Sequence, residues 1–80
     1  MTTRVMIADD HPMVRQGVAQ LVREAGDMEV VAEAAEYAGI MRGLREAEVD
    51  VLLLDVDMPG KSGIEIAKLA HREFPRLAIL

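Results

Sequence analysis

The sequence predicts an α/β fold with a parallel β-sheet. Four short apolar runs alternate with three segments of helical periodicity, in the order β-α-β-α-β-α-β. Helices between consecutive strands favour parallel pairing through right-handed crossovers. The third apolar run, Val51–Leu54, holds four aliphatic residues in succession, which is typical of a strand buried on both faces of a sheet. With 80 residues, the chain has room for one small domain.

The first predicted unit is a strand over Arg4–Ala8 and the helix that follows it. The helix is expected to begin at Asp10 or His11, because Pro12 in the first turn would lose no hydrogen bond there. Gly26 is expected to end it. Apolar residues recur at helical spacing and predict one buried face, formed by Val14, Val18, Leu21, Val22 and Ala25.

The second unit is a strand over Met28–Ala32 followed by a helix over residues 36–46. The helix carries one apolar stripe, made of Tyr37, Ile40, Met41 and Leu44. Gly39 and Gly43 lie in its interior, where each glycine costs about 1 kcal/mol relative to alanine. We therefore expect this helix to be the least stable of the three.

The third helix has a clear start signal, because Ser62 lies three residues before Glu65, the spacing of a capping box. Pro75 is expected to end this helix. Its inward residues are predicted to be Ile66, Leu69, Ala70 and Phe74. The apolar run over residues 77–80 then predicts a last strand with an uncovered edge. Such edges tend to pair with other chains, so we expect a fragment of a longer protein, or completion by a second copy through swapping or edge pairing.

The composition argues against nucleic-acid binding by these residues. The chain has 14 acidic and 9 basic residues, a net charge of -5, whereas phosphate backbones favour clustered lysine and arginine. It contains no cysteine, which excludes a disulfide framework. The amino terminus does not resemble a signal peptide, and no apolar run approaches the ~20 residues of a membrane span. We therefore expect a soluble cytoplasmic protein.

Acidic residues follow two of the predicted strands. Asp9 and Asp10 come directly after the first strand, and Asp55 comes directly after the third. If these strands are neighbours, the three carboxylates meet at one edge of the sheet. Two carboxylates about 5 Å apart repel by roughly 3 kcal/mol at an effective dielectric constant near 20, so three must hold protons or bind a cation. Oxygen ligands suit Mg2+ or Mn2+, beside which Asp55 is placed to attack a phosphoryl group.

Two motifs resemble those of a known family. Asp9–Pro12 reads Asp-Asp-His-Pro, and Leu54–Gly63 reads Leu-Asp-Val-Asp-Met-Pro-Gly-Lys-Ser-Gly. With Val30–Ala34, they resemble the receiver domain of two-component response regulators, most closely the NarL/FixJ subfamily, which carries a LuxR-type helix-turn-helix after the receiver. The resemblance implies a flavodoxin-like (CheY-like) doubly wound parallel sheet of strand order 2-1-3-4. Residues 1–80 would be the amino-terminal part of the receiver, with the last β/α units and any DNA-binding domain missing.

The resemblance implies that Asp55 accepts a phosphoryl group from a sensor histidine kinase as an acyl phosphate. Asp10 and Asp55 would bind Mg2+ (or Mn2+) directly, and Asp9 would act through a water molecule. Asp57 would contribute its backbone carbonyl, and the loop over the site would be shaped by Met58, Pro59 and Gly60. In the parent protein, phosphorylation would control transcription through the helix-turn-helix, so that DNA is bound only outside these residues.

The same resemblance implies that these 80 residues alone are impaired. Receivers bind the phosphoryl oxygens with a Ser or Thr at the end of strand four and a Lys at the end of strand five, and both positions would follow Leu80. Lys61 is expected to be a solvated loop charge that does not replace that lysine. The 80 residues are therefore expected to bind Mg2+ weakly and to phosphorylate poorly or not at all. No enzymatic activity beyond self-catalysed phosphorylation is expected.

Two other functions stay open at this stage. Asp55 and Asp57 after a hydrophobic run also match the Asp-x-Asp signature of haloacid-dehalogenase-like, Mg2+-dependent phosphatases. In those enzymes the motif usually lies on the first strand, and Asp9 and Asp10 would be left unexplained. Alternatively, the residues serve only in assembly or dimerisation. His11 is interpreted as a polar residue near a helix start, and not as a metal ligand or a phosphohistidine.

Overall fold

The computed structural model describes residues 2–56, 58 and 60–80. In these ranges the elements are β1 (Thr3–Ala8), α1 (Pro12–Glu24), β2 (Met28–Ala34), α2 (Tyr37–Glu46), β3 (Val51–Leu54), α3 (Gly63–Glu73) and β4 (Ala78–Ile79). The predicted alternation of strands and helices is confirmed, with boundaries that differ by about one or two residues, as element ends commonly do. None of these three helices combines the length and the apolar character that crossing a membrane requires.

The strands form one parallel sheet in the order β2-β1-β3-β4, which confirms the predicted fold class. The inner strand β1 pairs with β2 on one side and with β3 on the other. At its carboxyl end, Ala8 lies opposite Ala34 of β2 and Leu54 of β3. The residues that follow β1 and β3 therefore emerge side by side at the same edge of the sheet.

The larger hydrophobic core lies between the sheet and helices α2 and α3. Met6 and Leu52 from the inner strands and Ile66 from α3 are fully buried in it. Its other buried members are Ala8, Ala34, Ile40, Met41, Leu44, Met58, Ala70 and Leu77. The apolar stripes predicted for both helices face this core, with Phe74 only half-buried, except that Leu69 is half-buried outside it.

Gly43 allows α2 to approach the sheet closely. A Cβ atom at this position would lie 2.8 Å from Cε and 3.3 Å from Sδ of Met6. A contact of 2.8 Å is shorter than close-packed interiors allow, so a side chain here would require the end of the buried Met6 side chain to move. The glycine that weakens the helix is thus the residue that lets it pack.

Among the described elements, α1 covers the opposite face of the sheet. It buries a smaller cluster, formed by Val5, Ile7, Ala19 and Val22. The face predicted for α1 is partly wrong, since Val14 is 50% and Leu21 is 68% exposed and Ala25 is exposed as well. The buried arc is centred between Ala19 and Val22, about a quarter of a turn from the predicted one. The spacing of apolar residues identifies one apolar side of the helix. The side that packs on the sheet is the one where the small Ala19 permits close contact.

The prediction that β3 is buried on both faces is only partly confirmed. Leu52, on the side of α2 and α3, is fully buried. Val51 and Leu53 pack on the side of α1 and stay partly exposed. One helix covers less of a sheet face than two, which explains the difference.

A cap and a tight contact define the start of α3. Ser62 Oγ accepts a hydrogen bond from the backbone N–H of Glu65 at 3.2 Å, as the sequence predicts. The next residue, Gly63, donates its N–H to the carbonyl oxygen of Val56 at 3.2 Å. A Cβ at Gly63 would lie 2.5 Å from the Cα of Val56. The chain after β3 is therefore held against the start of α3.

At the other end of the sheet, Arg4 joins the starts of β1 and β3. Its backbone N–H donates to Asp50 Oδ2 at 2.8 Å, and its Nε donates to the same oxygen at 3.3 Å. Its guanidinium also pairs with Glu48. The hydrogen bond from the Arg4 backbone, followed by the bond from its side chain, lowers the pKa of Asp50.

Candidate metal centre

Four ionisable residues meet at the carboxyl ends of β1 and β3. Asp9, Asp10, His11 and Asp55 each offer one ligand atom, and these atoms all lie within 4.8 Å of one another. The first three follow β1 directly, and Asp55 follows β3, so the parallel pairing of these strands creates the cluster. We refer to these four residues as the acidic cluster. The structure thus brings together the three aspartates that the sequence singled out and adds His11 to them.

The backbone of Asp9 is held in place by two hydrogen bonds, one to β2 and one to α1. Its backbone N–H donates to the carbonyl oxygen of Ala34 at 3.0 Å, which extends the pairing of β1 with β2. Its own carbonyl oxygen accepts a hydrogen bond from Arg15 Nη1 of α1 at 2.6 Å. The Nε of Arg15 lies 3.3 Å from Glu33 Oε1, which ties the same guanidinium to β2. Asp9 is also the most buried charged residue of the described chain, with 9% exposure. A solvated carboxylate beside a helix start would be more exposed.

Asp55 continues the ladder between β1 and β3. Its backbone N–H donates to the carbonyl oxygen of Ala8 at 2.9 Å. The preceding residue, Leu54, donates its N–H to the carbonyl oxygen of Leu80 at 3.0 Å, on the side of β4. The Asp55 side chain is 22% exposed. It therefore combines a fixed backbone with a carboxylate that a small reagent can reach.

His11 precedes the first turn of α1, as the sequence predicts, but its side chain also enters the acidic cluster. Its Nδ1 lies 3.0 Å from Asp9 Oδ1, 3.0 Å from Asp10 Oδ1 and 3.9 Å from Asp55 Oδ2. The hydrogen bond to Asp9 raises the pKa of His11, and the negative charges of Asp10, Asp9 and Asp55 raise it further. Its backbone N–H also donates to Asp9 Oδ1, at 2.8 Å. The available signal was its position directly after two aspartates at a strand end.

The Asp10 carboxylate is incompletely satisfied. In the part of the chain that the structure describes, its Oδ1 is buried and has no hydrogen-bond partner. Nδ1 of His11 is 3.0 Å away, but this nitrogen carries at most one proton and lies equally close to Asp9 Oδ1. A buried carboxylate oxygen without a donor, close to two other carboxylates, fits a bound cation. A donor set of three carboxylates suits Mg2+ or Mn2+.

The loop after β3 contains two residues to which the sequence analysis assigned roles but which the structure does not describe. Asp57 and Pro59 lie outside the described residues. Met58 is 5% exposed and belongs to the larger core, so it anchors the loop beneath the site. Gly60 adopts a φ of +88°, a backbone conformation that favours glycine. The proposed use of the Asp57 carbonyl as a ligand stays a prediction.

Lys61 occupies a different environment from the one expected. Its Nζ lies 5.2 Å from the centroid of the Tyr37 ring, within the range of a cation–π contact. The side chain therefore bridges the loop before α3 to the start of α2 and is not a freely solvated charge. The aromatic partner comes from a separate element, so spacing along the chain did not indicate it.

Comparison with known families and proteins gives a consistent result. Residues 5–80 match the family model of the response regulator receiver domain. The nitrate/nitrite response regulator protein NarP of Escherichia coli (strain K12) is 41% identical over 70 residues, which are 88% of this chain and 33% of NarP. The chain thus spans about a third of the length of this relative.

Solved structures agree with the sequence comparison. A two-component response regulator of the LuxR family from Aurantimonas sp. SI85-9A1 superposes with a TM-score of 0.92 and 35% identity, over 99% of this chain and 56% of that one. RcsB from Salmonella enterica serovar Typhimurium, bound to promoter rprA in the presence of the phosphomimetic BeF3-, gives a TM-score of 0.92 and 33% identity. That match covers 99% of this chain and 41% of RcsB.

Proposed function

The chain belongs to the response regulator receiver domain family, and from this premise we propose that Asp55 accepts a phosphoryl group on a carboxylate oxygen. The observation that carries the proposal is the convergence of Asp9, Asp10 and Asp55 at the ends of two adjacent strands, with their ligand atoms within 4.8 Å. Asp55 is the member that follows β3, and its side chain is accessible.

In the proposed reaction, an Asp55 oxygen forms a bond to phosphorus while the bond between phosphorus and the imidazole nitrogen of a kinase phosphohistidine breaks. Phosphoryl transfer needs little acid–base chemistry, so the chain mainly has to position the carboxylate. The backbone hydrogen bond from Asp55 to Ala8 supports that position. Asp10 and Asp55 would hold Mg2+ (or Mn2+) directly, with Asp9 acting through water. When bound, the metal supplies positive charge that neutralises the phosphoryl oxygens.

We extend the proposal to the partners of the longer protein. A sensor histidine kinase is the phosphoryl donor, and the response is control of transcription. RcsB, one of the similar structures, was solved bound to a promoter. The net charge of -5 makes these 80 residues a poor surface for DNA, so contact with DNA is assigned to residues outside them. A cytoplasmic location and self-association at the β4 edge belong to the same proposal.

Phosphorylation with a small donor tests the assignment of Asp55. The 80-residue chain and a chimera, in which the remainder of the NarP receiver follows Leu80, are incubated with radiolabelled acetyl phosphate and Mg2+. Peptide mapping then locates the label. We expect slow labelling of the 80 residues at most, full labelling of the chimera, and no label in either after Asp55→Asn.

Two further variants sharpen this test. Asp27→Asn removes an exposed carboxylate outside the acidic cluster and is expected to leave labelling of the chimera unchanged. Asp57→Asn is also expected to leave it unchanged, whereas the dehalogenase-like alternative needs this side chain as a general acid. Label on a residue other than Asp55, or a chimera that takes up no label, contradicts the proposal.

A further inference from the structure

His11 stands inside the acidic cluster as its one nitrogen donor. We propose that His11 Nδ1 is a ligand of the cation bound there, so that the site binds Co2+ and similar transition metals more tightly than an all-oxygen site would. The inference rests on the cation site of the proposed function and adds to it a residue and a metal preference. It does not require that Asp55 be phosphorylated.

The distances from His11 Nδ1 are close to those between ligand atoms around one octahedral ion. Ligand atoms about 2.1 Å from a metal lie about 3.0 Å apart when adjacent and about 4.2 Å apart when opposite. Asp9, which is assigned a contact through water, has its Oδ1 3.0 Å from Nδ1 of His11. Nδ1 also lies 3.0 Å from Asp10 Oδ1, the spacing of adjacent ligands. It lies 3.9 Å from Asp55 Oδ2, close to the spacing of opposite ligands. In the tautomer that carries its proton on Nε2, Nδ1 offers a lone pair and needs little movement to share an ion with Asp10 and Asp55.

The chemistry of the donors determines the expected preference. Mg2+ is a hard cation that takes oxygen ligands and keeps several waters. Imidazole nitrogen suits transition metals, whose affinity for such sites rises from Mn2+ through Co2+ to Cu2+. Replacing a water or a carboxylate by His11 should therefore strengthen Co2+ binding while affecting Mg2+ binding little. Buried Asp10 Oδ1, which has no hydrogen-bond partner among the described residues, would gain its partner in the same ion.

His11 is also suited to removal by mutation. It is the residue that precedes the first turn of α1, yet its side chain makes no capping hydrogen bond to that helix. The side chain is 62% exposed, so its loss leaves no cavity in a core. The variant His11→Ala is therefore expected to fold, and an effect on metal binding reports on the imidazole itself.

Titration calorimetry on the full 80-residue chain, free of a polyhistidine tag, tests the inference with Co2+ and Mg2+. We expect His11→Ala to weaken Co2+ binding by at least about tenfold and to change Mg2+ binding by less than about threefold. Proton NMR of the Co2+-bound chain gives a direct second measurement. A strongly shifted imidazole N–H resonance is expected in the wild type and should be missing in His11→Ala.

The other histidine provides the matched control. His71 is exposed near the end of α3, and His71→Ala is expected to keep both the Co2+ affinity and the shifted resonance. Unchanged Co2+ affinity in His11→Ala overturns the inference but leaves the proposed cation site intact. Tighter binding of both metals in that variant also overturns it, because His11 then blocks the site. If Asp10→Asn changes the binding of neither metal, the cation site itself is refuted, and the inference with it.

Discussion

Neutralising one carboxylate of the acidic cluster should stabilise the metal-free chain. Asp10 is the most informative choice, because its Oδ1 has no hydrogen-bond partner in the described residues. Asparagine keeps the shape and size of aspartate and removes the negative charge. We therefore expect Asp10→Asn to raise the free energy of unfolding in the presence of a chelator, the opposite of what most substitutions do.

The structure sets the size of this effect. Ligand atoms of the cluster lie within 4.8 Å of one another, and at that separation two like charges repel by about 3 kcal/mol at an effective dielectric constant of 20. The Asp10 side chain is 27% exposed, and a protonated His11 compensates part of the repulsion. A net gain of about 1 kcal/mol is expected, or about 4–8 °C in melting temperature for a domain of this size. The gain should increase with pH as His11 loses its proton.

Bound metal should make the wild type more stable than Asp10→Asn. A cation at ten times its dissociation constant stabilises the wild type by about 1.4 kcal/mol, and Asp10→Asn should lose most of this stabilisation. The assay is thermal unfolding followed by circular dichroism, with chelator and with increasing Mg2+. Asp27→Asn, which removes a carboxylate outside the cluster, controls for the change in net charge. The reasoning is refuted if Asp10→Asn is less stable than this control without metal, or if Mg2+ stabilises both variants equally.

Two further predictions concern the fold and its pH dependence. Gly17→Ala in α1, where nothing lies within 4 Å of the added Cβ, should stabilise the chain by about 1 kcal/mol in urea unfolding. Gly43→Ala in α2 should instead destabilise the chain by about 1–3 kcal/mol, because the Cβ would lie 2.8 Å from the buried Met6. If both substitutions raised the free energy of unfolding, the packing argument would be contradicted. The contact with Arg4 lowers the pKa of Asp50 from its usual value of 3.8. The charged Asp50 therefore stabilises the fold fully above pH 3.8, and this stabilisation is lost as the pH falls below that value. Urea unfolding should therefore show that Asp50→Asn is less stable than the wild type near neutral pH and that this difference shrinks below pH 3.8; a difference that widens on acidification would be inconsistent with this assignment.

Sequence patterns correctly predicted those features of the fold that depend on residues close together in the chain. The alternation of elements, the Ser62 cap and the stop after α3 all follow from local spacing and turn chemistry. The meeting of Asp9, Asp10 and Asp55 followed from one condition, that β1 and β3 are adjacent. The family motifs supplied the strand order that satisfies this condition.

Other features depended on contacts between elements. The side of α1 that faces the sheet differs from the apolar arc seen in the sequence, which leaves Val14 and Leu21 exposed. The contact of Lys61 with Tyr37 joins two elements whose relative placement is not encoded in local spacing. The need for a small residue at position 43 becomes visible only in the structure, where Met6 packs against Gly43.

The sequence by itself determined which residues carry charge at the ends of the strands and therefore which chemistry is available. Only the tertiary structure decided that the imidazole of His11 lies among the carboxylates, 3.0 Å from two of them. The physical reason is that hydrophobic periodicity specifies the faces of helices and strands, whereas the direction of a side chain at the junction of β1 and α1 depends on the backbone turn and on the charges that surround it.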